Sequence, residues 1–172
     1  METVVGRPLA DDCPLHKFQC GEDLIDQWAK KKALVGHSRF KARVMTFHAG
    51  EDPEPLGLYS LTLVLESEKE IRKTRDVTRW TRDGLFPALH LEYLGVCRKA
   101  QGQGLGTFMM MDVIAGFRQI AEKAGVPILT LRPLNPQLTP YYEKRNFICY
   151  GVSGGMMMSN ETAIRLTDGG EP

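Results

Sequence analysis

The stretch Leu94-Gly95-Val96-Cys97-Arg98-Lys99-Ala100-Gln101-Gly102-Gln103-Gly104-Leu105-Gly106-Thr107 joins the end of an apolar strand pattern to the start of an amphipathic helix pattern. Three alternate glycines, Gly102, Gly104 and Gly106, occupy the junction. Glycine admits φ values that other residues resist and lets the backbone approach a ligand closely. The first N–H groups of a helix have no partner inside it, and the helix dipole adds positive potential at the same point. Together these features suit a phosphate or pyrophosphate. A flexible strand-to-helix turn is the plainer alternative. A Walker-type loop ends in Gly-Lys-Ser/Thr, whereas Gly106 is followed by Thr107 and Phe108. A dinucleotide fingerprint needs a third glycine where Thr107 stands. Both nucleotide readings lose their defining residues.

Upstream of the junction, Leu89 to Val96 reads as a strand on which His90 and Glu92 share one face. Downstream, Gly104 to Ala124 reads as the longest helix, its apolar surface supplied by Phe108, Met109, Met111, Val113, Ile114, Phe117 and Ile120. Gly125-Val126-Pro127 closes that helix, and Ile128 to Leu131 restarts a strand. Pro140 to Arg145 reads as a short helix and Phe147 to Tyr150 as a strand. Met156 to Met158 begin a last strand that ends near Leu166, and the tail from Asp168 frays. Towards the N-terminus, Phe40 to Ala49 and Leu56 to Leu65 form a hairpin around the polar turn Gly50 to Pro55. Glu22 to Val35 is helical, with Leu24, Ile25, Trp28 and Ala29 on one face, Lys30 to Lys32 in solvent and Gly36 as its stop. Residues 1–20 are irregular or an edge segment. Strands and helices mix without strict alternation, so a mixed sheet is expected rather than a doubly wound parallel one.

A chain of 172 residues suits one domain, 1–172, with a core large enough to stand without staples. A net charge of +1 gives no global field for nucleic acid or an anionic membrane. Cys13, Cys20, Cys97 and Cys149 form no CxxC pair and the histidines are scattered, so no metal site is expected. With neither a signal segment nor a membrane-length apolar run, a cytoplasmic location with reduced thiols is expected, with no membrane partner. Residues 66–87 carry Lys69, Arg72, Lys73, Arg75, Arg79 and Arg82 among several carboxylates. They read as a solvated connection, or as a lid or polyanion-binding surface.

Gln101, Gly104 and Gly106 match the pattern Gln/Arg-x-x-Gly-x-Gly/Ala. Asn135-Pro-Gln-Leu-Thr-Pro-Tyr141-Tyr142-Glu143-Lys144-Arg145-Asn146-Phe147 follows one helix and one strand later. In that order the two elements resemble the acetyl-CoA-binding motif and the Asn-x₆-Tyr-Glu-Lys-x-Gly-Phe element of the GNAT N-acetyltransferase superfamily, with Asn146 where glycine is usual. The resemblance covers residues 40 to 150. It implies a mixed, largely antiparallel sheet of six to seven strands with one splayed parallel pair, Leu89–Arg98 and Ile128–Leu131, and about four flanking helices. It also implies acetyl-CoA as co-substrate and transfer to an amine acceptor. Backbone groups of Val96 and Arg98 would pair with pantetheine; Gln101, Gly102, Gly104, Gly106 and Thr107 would cradle the pyrophosphate; Asn135 would contact the arm. Tyr142 would donate to the departing thiolate, with Tyr141 as fallback, and His90 or Glu92 would take the amine proton.

Phe18-Gln-Cys20-Gly21-Glu-Asp-Leu-Ile25-Asp26-Gln-Trp28 resembles the opening of the acetyltransferase toxins of bacterial toxin–antitoxin pairs, and Leu58-Tyr59-Ser60-Leu61 resembles a tyrosine-bearing strand of theirs. That likeness implies aminoacyl-tRNA as acceptor, an antitoxin partner and a homodimer, with Lys30–Lys32 and segment 66–87 meeting tRNA phosphates. Tyr93-Leu94-Gly95-Val96 departs from the Arg-Leu-Ala-Val usual in those toxins, and a pI near 7.7 is low for a tRNA ligand. A small-molecule or peptide amine acetyltransferase and a non-catalytic coenzyme sensor therefore stay open. Cys97 receives no role.

Overall fold

Alternating apolar residues on either side of the turn at Gly50 set the first pairing. In the computed structural model, which describes residues 3–67, 83–151 and 154–169, β2 (Arg43–Ala49) pairs antiparallel with β3 (Gly57–Ser67), Phe47 opposite Gly57 and Arg43 opposite Leu61. The edge strand β1 (Val4–Pro8) adds to β2 antiparallel. β4 (Leu85–Val96), β5 (Ile128–Leu131), β6 (Ile148–Tyr150) and β7 (Gly155–Ser159) complete a seven-stranded sheet in the order β1-β2-β3-β4-β5-β7-β6. β4 pairs parallel with β5, as the family resemblance implies. Its register runs from Ala88–Ile128 to Leu91–Leu131, so Glu92 to Val96 continue beyond the last residue that β5 pairs.

Among the described residues the α-helices are α1 (Asp23–Trp28), α2 (Leu34–Ser38), α3 (Leu105–Ala124), α4 (Thr139–Glu143) and α5 (Asn160–Thr167). A π-helical stretch, Ala29–Ala33, makes α1 and α2 one continuous helix. The described residues fall into two compact units, Met1–Thr62 with Glu92–Asp112, and Leu63–Leu91 with Val113–Pro172. Phe18, Ile25, Trp28, Val44, Leu58 and Cys97 centre the core of the first. Phe86, Ala88, Ile128, Tyr150 and Met157 form a cluster in the second.

Several boundaries differ from the sequence expectation. Gly36 does not stop its helix, which runs on to Ser38; Phe40 turns the chain instead, at φ 56, and stands 80% exposed outside β2. Leu24 lies in the first turn of α1 and is exposed, while Ile25, Trp28 and Ala29 are buried as expected. β4 begins at Leu85, because Phe86 and Ala88 are buried on either side of an exposed Pro87. On α3, Phe108 and Met111 are exposed, and Met110 takes a place in the core. The last strand stops at Ser159 rather than near Leu166. There the Ser159 hydroxyl accepts a hydrogen bond from the N–H of Thr162 at 3.2 Å and starts α5. An N-cap serine followed by Asn-Glu-Thr outweighs the β-like Met156–Met158 run that precedes it. Most of the basic segment, residues 68–82, lies outside the described residues.

Removing the cap gives a direct check. Ser159→Ala should lower unfolding stability by about 1 kcal/mol, read by chemical denaturation, and Ser159→Asp should restore most of it.

Candidate active site

Gly102 (φ 73) and Gly104 (φ 84) both take the left-handed conformation, which brings the chain from the turn Arg98–Ala100 into α3. Among the described residues, no acceptor takes the backbone N–H of Gly102, Gln103, Gly104, Leu105 or Gly106. The N–H groups of Thr107 and Phe108 are turned inward onto the carbonyl of Gly104. The loop is therefore a run of open donors at the N-terminus of a twenty-residue helix, the arrangement that favours an anion.

The Gln101 side chain is bonded within the fold. Its side-chain Nε2 donates to the carbonyl of Cys20 at 2.8 Å and to that of Val96 at 2.9 Å, and its backbone N–H donates to the carbonyl of Arg98. It ties the loop down and leaves the donors to its neighbours. Cys20 is fixed in turn by Asp26, whose carboxylate accepts from the N–H of Cys20 at 2.8 Å and of Gly21 at 3.2 Å. Burial pushes the Asp26 carboxyl up, but these donors, the Cys20 thiol and the Lys30 charge outweigh it and hold its pKa below the ordinary value. Gly21 sits at φ 96, and a Cβ there would meet the Arg98 side chain at 2.7 Å, so only glycine fits. The Cys-Gly and Asp positions of the N-terminal motif thus support the loop from beneath.

The expected pantetheine contacts are mixed. The carbonyl of Val96 already accepts from Gln101, and the N–H of Arg98 donates to the carbonyl of Gln19 at 3.0 Å. Pairing of Arg98 with a ligand would require exchange of that bond. Asn135 caps the turn Pro136–Leu138, its Oδ1 accepting from the N–H of Gln137 at 3.0 Å. Cys97 is buried, its thiol donates to the carbonyl of Pro55, and burial pushes its pKa up, so it is no thiolate nucleophile.

Glu92 is exposed near the end of β4 and accepts a hydrogen bond from the buried Ser60 hydroxyl at 3.3 Å. Its neighbour Tyr93 stacks on Trp28, ring centroids 4.3 Å apart. That stack gives a packing role to Tyr93, the first residue at which the strand departs from the Arg-Leu-Ala-Val pattern. Gly95 follows for a similar reason, since a Cβ there would lie 3.1 Å from Ile25 and 3.2 Å from Phe18. His90 is half-buried, with Nδ1 2.9 Å from the Thr130 hydroxyl; burial and the Arg132 charge lower its pKa and keep it neutral.

Tyr142 lies edge-on to Tyr141 and Phe147. Among the described residues its hydroxyl has no hydrogen-bond partner, and burial pushes its pKa up to about 12. Tyr141 is covered by the Arg145 guanidinium, 3.5 Å from its ring centroid. Asn146 takes φ 65, the left-handed conformation that glycine supplies elsewhere and that asparagine tolerates best among other residues. The departure from the motif at Asn146 leaves the backbone requirement met. Thr130 and the Trp28–Tyr93 stack went unread in the sequence, and Asp26 and Ser60 stood there only as motif positions.

The acetyltransferase (GNAT) family model matches residues 11–147. A tRNA-acetylating toxin of Mycobacterium tuberculosis (strain ATCC 25618 / H37Rv) is 27% identical over 143 residues, 82% of this chain and 82% of that protein. A tyrosine-to-phenylalanine mutant of KacT has the same fold, with a TM-score of 0.86 at 18% identity, over 95% of this chain and 98% of that one. So does AtaT complexed with acetyl-methionyl-tRNAfMet, with a TM-score of 0.86 at 18% identity over 96% and 99%. An AtaT mutant toxin bound to the C-terminus of the antitoxin AtaR and acetyl-CoA gives 0.78 at 19% identity over 96% and 98%. With the open-donor loop inside the matched residues, the chain belongs to the acetyltransferase (GNAT) family.

Proposed function

We propose that this chain transfers the acetyl group of acetyl-CoA to the α-amine of an aminoacyl-tRNA. The observation that carries the coenzyme half is the run of open N–H groups from Gly102 to Gly106 at the start of α3. The acceptor half is supported by the relative named as a tRNA-acetylating toxin and by the fold shared with AtaT, solved with an acetylated aminoacyl-tRNA. The same relatives support an antitoxin partner, to be sought by copurification with the neighbouring gene product. A homodimer in the cytoplasm completes the reading. No helix among the described residues is long and apolar enough to cross a membrane.

In this mechanism the N–H groups of Gly102, Gly104 and Gly106, with Thr107, hold the pyrophosphate, and Gln101 fixes them in place. The Val96 backbone and Asn135 guide the pantetheine arm, with Arg98 joining after release from Gln19. The neutral amine attacks the thioester carbonyl, forming a C–N bond, and the C–S bond then breaks. An α-amine has a pKa near 8, about two below that of a lysine, so roughly a fifth is already neutral at physiological pH. The base therefore has little to do before attack, and Glu92, or neutral His90, needs only to accept the proton released from nitrogen afterwards.

Tyr142 serves as hydrogen-bond donor to the sulfur, the role its motif position implies. A phenol at about 12 facing a thiol near 8.5 makes outright proton transfer uphill by about 5 kcal/mol. Its contribution is a bond that strengthens as charge develops on sulfur, a selective stabilisation of the transition state. With the phenol's pKa raised, the donor form persists to higher pH than an ordinary tyrosine would allow.

Incubation with labelled acetyl-CoA and charged total tRNA, beside a panel of free amines, tests the reading. Label on the aminoacyl group is expected; label on free amines alone would replace the acceptor, and no transfer at all would sink the proposal. Gly104→Glu should weaken acetyl-CoA binding at least about 100-fold in calorimetry, because it adds a negative charge at the pyrophosphate and strains a left-handed backbone. Tyr142→Phe should lower kcat about 100-fold with the acetyl-CoA Kd unchanged. In the wild type, kcat/KM should rise with pH through a midpoint near 8, level off above about 9 and show no decline from Tyr142 ionisation below pH about 10. Equal kcat in wild type and Tyr142→Phe would remove the tyrosine from the mechanism.

A further inference from the structure

Four polar side chains from four strands of the second unit bond to one another in a row: His90 of β4, Thr130 of β5, Tyr150 of β6 and Glu66 of β3. His90 stands opposite Thr130 in the parallel register, with Nδ1 2.9 Å from the Thr130 hydroxyl. That hydroxyl is wholly buried, and it donates in turn to the phenol of Tyr150, which is buried as well. The Tyr150 hydroxyl donates to Glu66 Oε1 at 3.0 Å. β7 lies between β5 and β6, and Gly155 faces Tyr150 across the β6–β7 pair. A Cβ on Gly155 would stand 2.9 Å from the Tyr150 ring, so glycine leaves the space that the ring occupies. The surrounding cluster of Phe86, Ala88, Ile128 and Met157 is apolar. Hydroxyls are costly in such a place unless each one is bonded, and this row bonds them.

The row has a direction. The Glu66 carboxylate only accepts, and it takes the Tyr150 proton. Burial and the Glu66 charge push the phenol up to about 12, so that proton stays in place. Thr130 has one proton to give. Given to Tyr150, it obliges His90 to carry its own hydrogen on Nδ1, and three bonds form: His90 to Thr130, Thr130 to Tyr150, Tyr150 to Glu66. Given to Nδ1 instead, it leaves two bonds, and nothing donates to the buried Thr130 oxygen. The Leu89 carbonyl, 3.5 Å from the Thr130 hydroxyl, is a weak alternative acceptor that also leaves the hydrogen on Nδ1. Resting on the reading of acetyl transfer to an amine, we infer that Glu66, Tyr150 and Thr130 are positioning residues that fix His90 as its Nδ1–H tautomer and make its Nε2 lone pair the base. Neutral histidine in water favours the opposite tautomer, and the bond made by one ring nitrogen decides the state of the other. Among the described residues Nε2 has no hydrogen-bond partner. Once the C–N bond has formed, the proton leaves nitrogen for Nε2 and the C–S electron pair departs with sulfur. His90 then gives that proton to water, while Nδ1–H stays bonded to Thr130.

The test is ¹⁵N NMR of the histidine rings in the full chain at pH about 8, above the ordinary histidine pKa, with the rings assigned through bonds to the backbone. In the wild type, His90 should show a protonated-type Nδ1 and a lone-pair-type Nε2. Thr130→Val, which keeps the shape and removes the hydroxyl, should turn His90 to the Nε2–H tautomer. Glu66→Ala, two links away from the imidazole, should give a mixture, since the Tyr150 proton is then free to turn back towards Thr130. Thr130→Ser should keep the wild-type spectrum. In the acetylation assay Thr130→Val should lower kcat about tenfold, with KM and the acetyl-CoA Kd unchanged, and Thr130→Ser should restore kcat. His90 found as Nε2–H in the wild type would overturn the inference while leaving acetyl transfer intact. An unchanged tautomer or a wild-type kcat in Thr130→Val would do the same. Failure of the wild type to acetylate any amine would overturn both.

Discussion

The amide of Gln101 reaches two carbonyls at once, that of Cys20 and that of Val96, and much of the site hangs on this pair of bonds. Each is worth only about 1 kcal/mol in net stability. Their importance is geometric, because they join three stretches of chain that no secondary structure connects directly: the turn before α1, the end of β4 and the glycine loop. With the side chain committed there, the loop has no need to spend its own N–H groups on holding itself in place. The donors from Gly102 to Gly106 stay open, and the dipole of α3 stands behind them.

The same logic extends outward. Asp26 fixes Cys20 and Gly21, Gly21 leaves room for the Arg98 side chain, and Gly95 lets β4 settle onto Phe18 and Ile25. A sequence motif more than seventy residues from the loop is therefore part of the loop's foundation. On the other flank, β4 outruns β5 after Leu91, so the strand that ends at the loop also carries a backbone free of its parallel partner. A donor loop at one end, an unpaired strand segment in the middle and Glu92 beside a lysine-lined cavity form a continuous path along one element.

Much of this was legible in the residues. The glycine loop, the long helix after it and the β2–β3 hairpin follow from patterns with strong local causes: alternating apolar positions, helical spacing and glycines at a junction; the parallel pair at Ala88–Leu91 was implied by the family resemblance. The misreadings have causes too. Gly36 looked like a stop, but the left-handed turn fell to Phe40, a residue with no local preference for it. Met156–Met158 read as the start of a long strand, although the Ser159 cap three residues on had the stronger claim. For Gln101 the motif implies a place at the pyrophosphate; the bonds its side chain makes within the fold reach eighty-one residues away to Cys20 and five away to Val96, and no spacing rule reveals the first. Tyr93 and Gly95 looked like departures from the toxin pattern until their neighbours, Trp28 on one side and Ile25 with Phe18 on the other, gave each a reason.

The account rests on Gln101 presenting open backbone donors to a pyrophosphate, and residue-resolved hydrogen exchange tests that most directly. Exchange at the amides of Gly102 to Gly106 should be fast in the free protein and slow sharply with acetyl-CoA. S-acetylpantetheine, which lacks the pyrophosphate, should leave these amides fast even when it occupies the arm site. Protection of the same amides by S-acetylpantetheine, or none with saturating acetyl-CoA, would contradict the account.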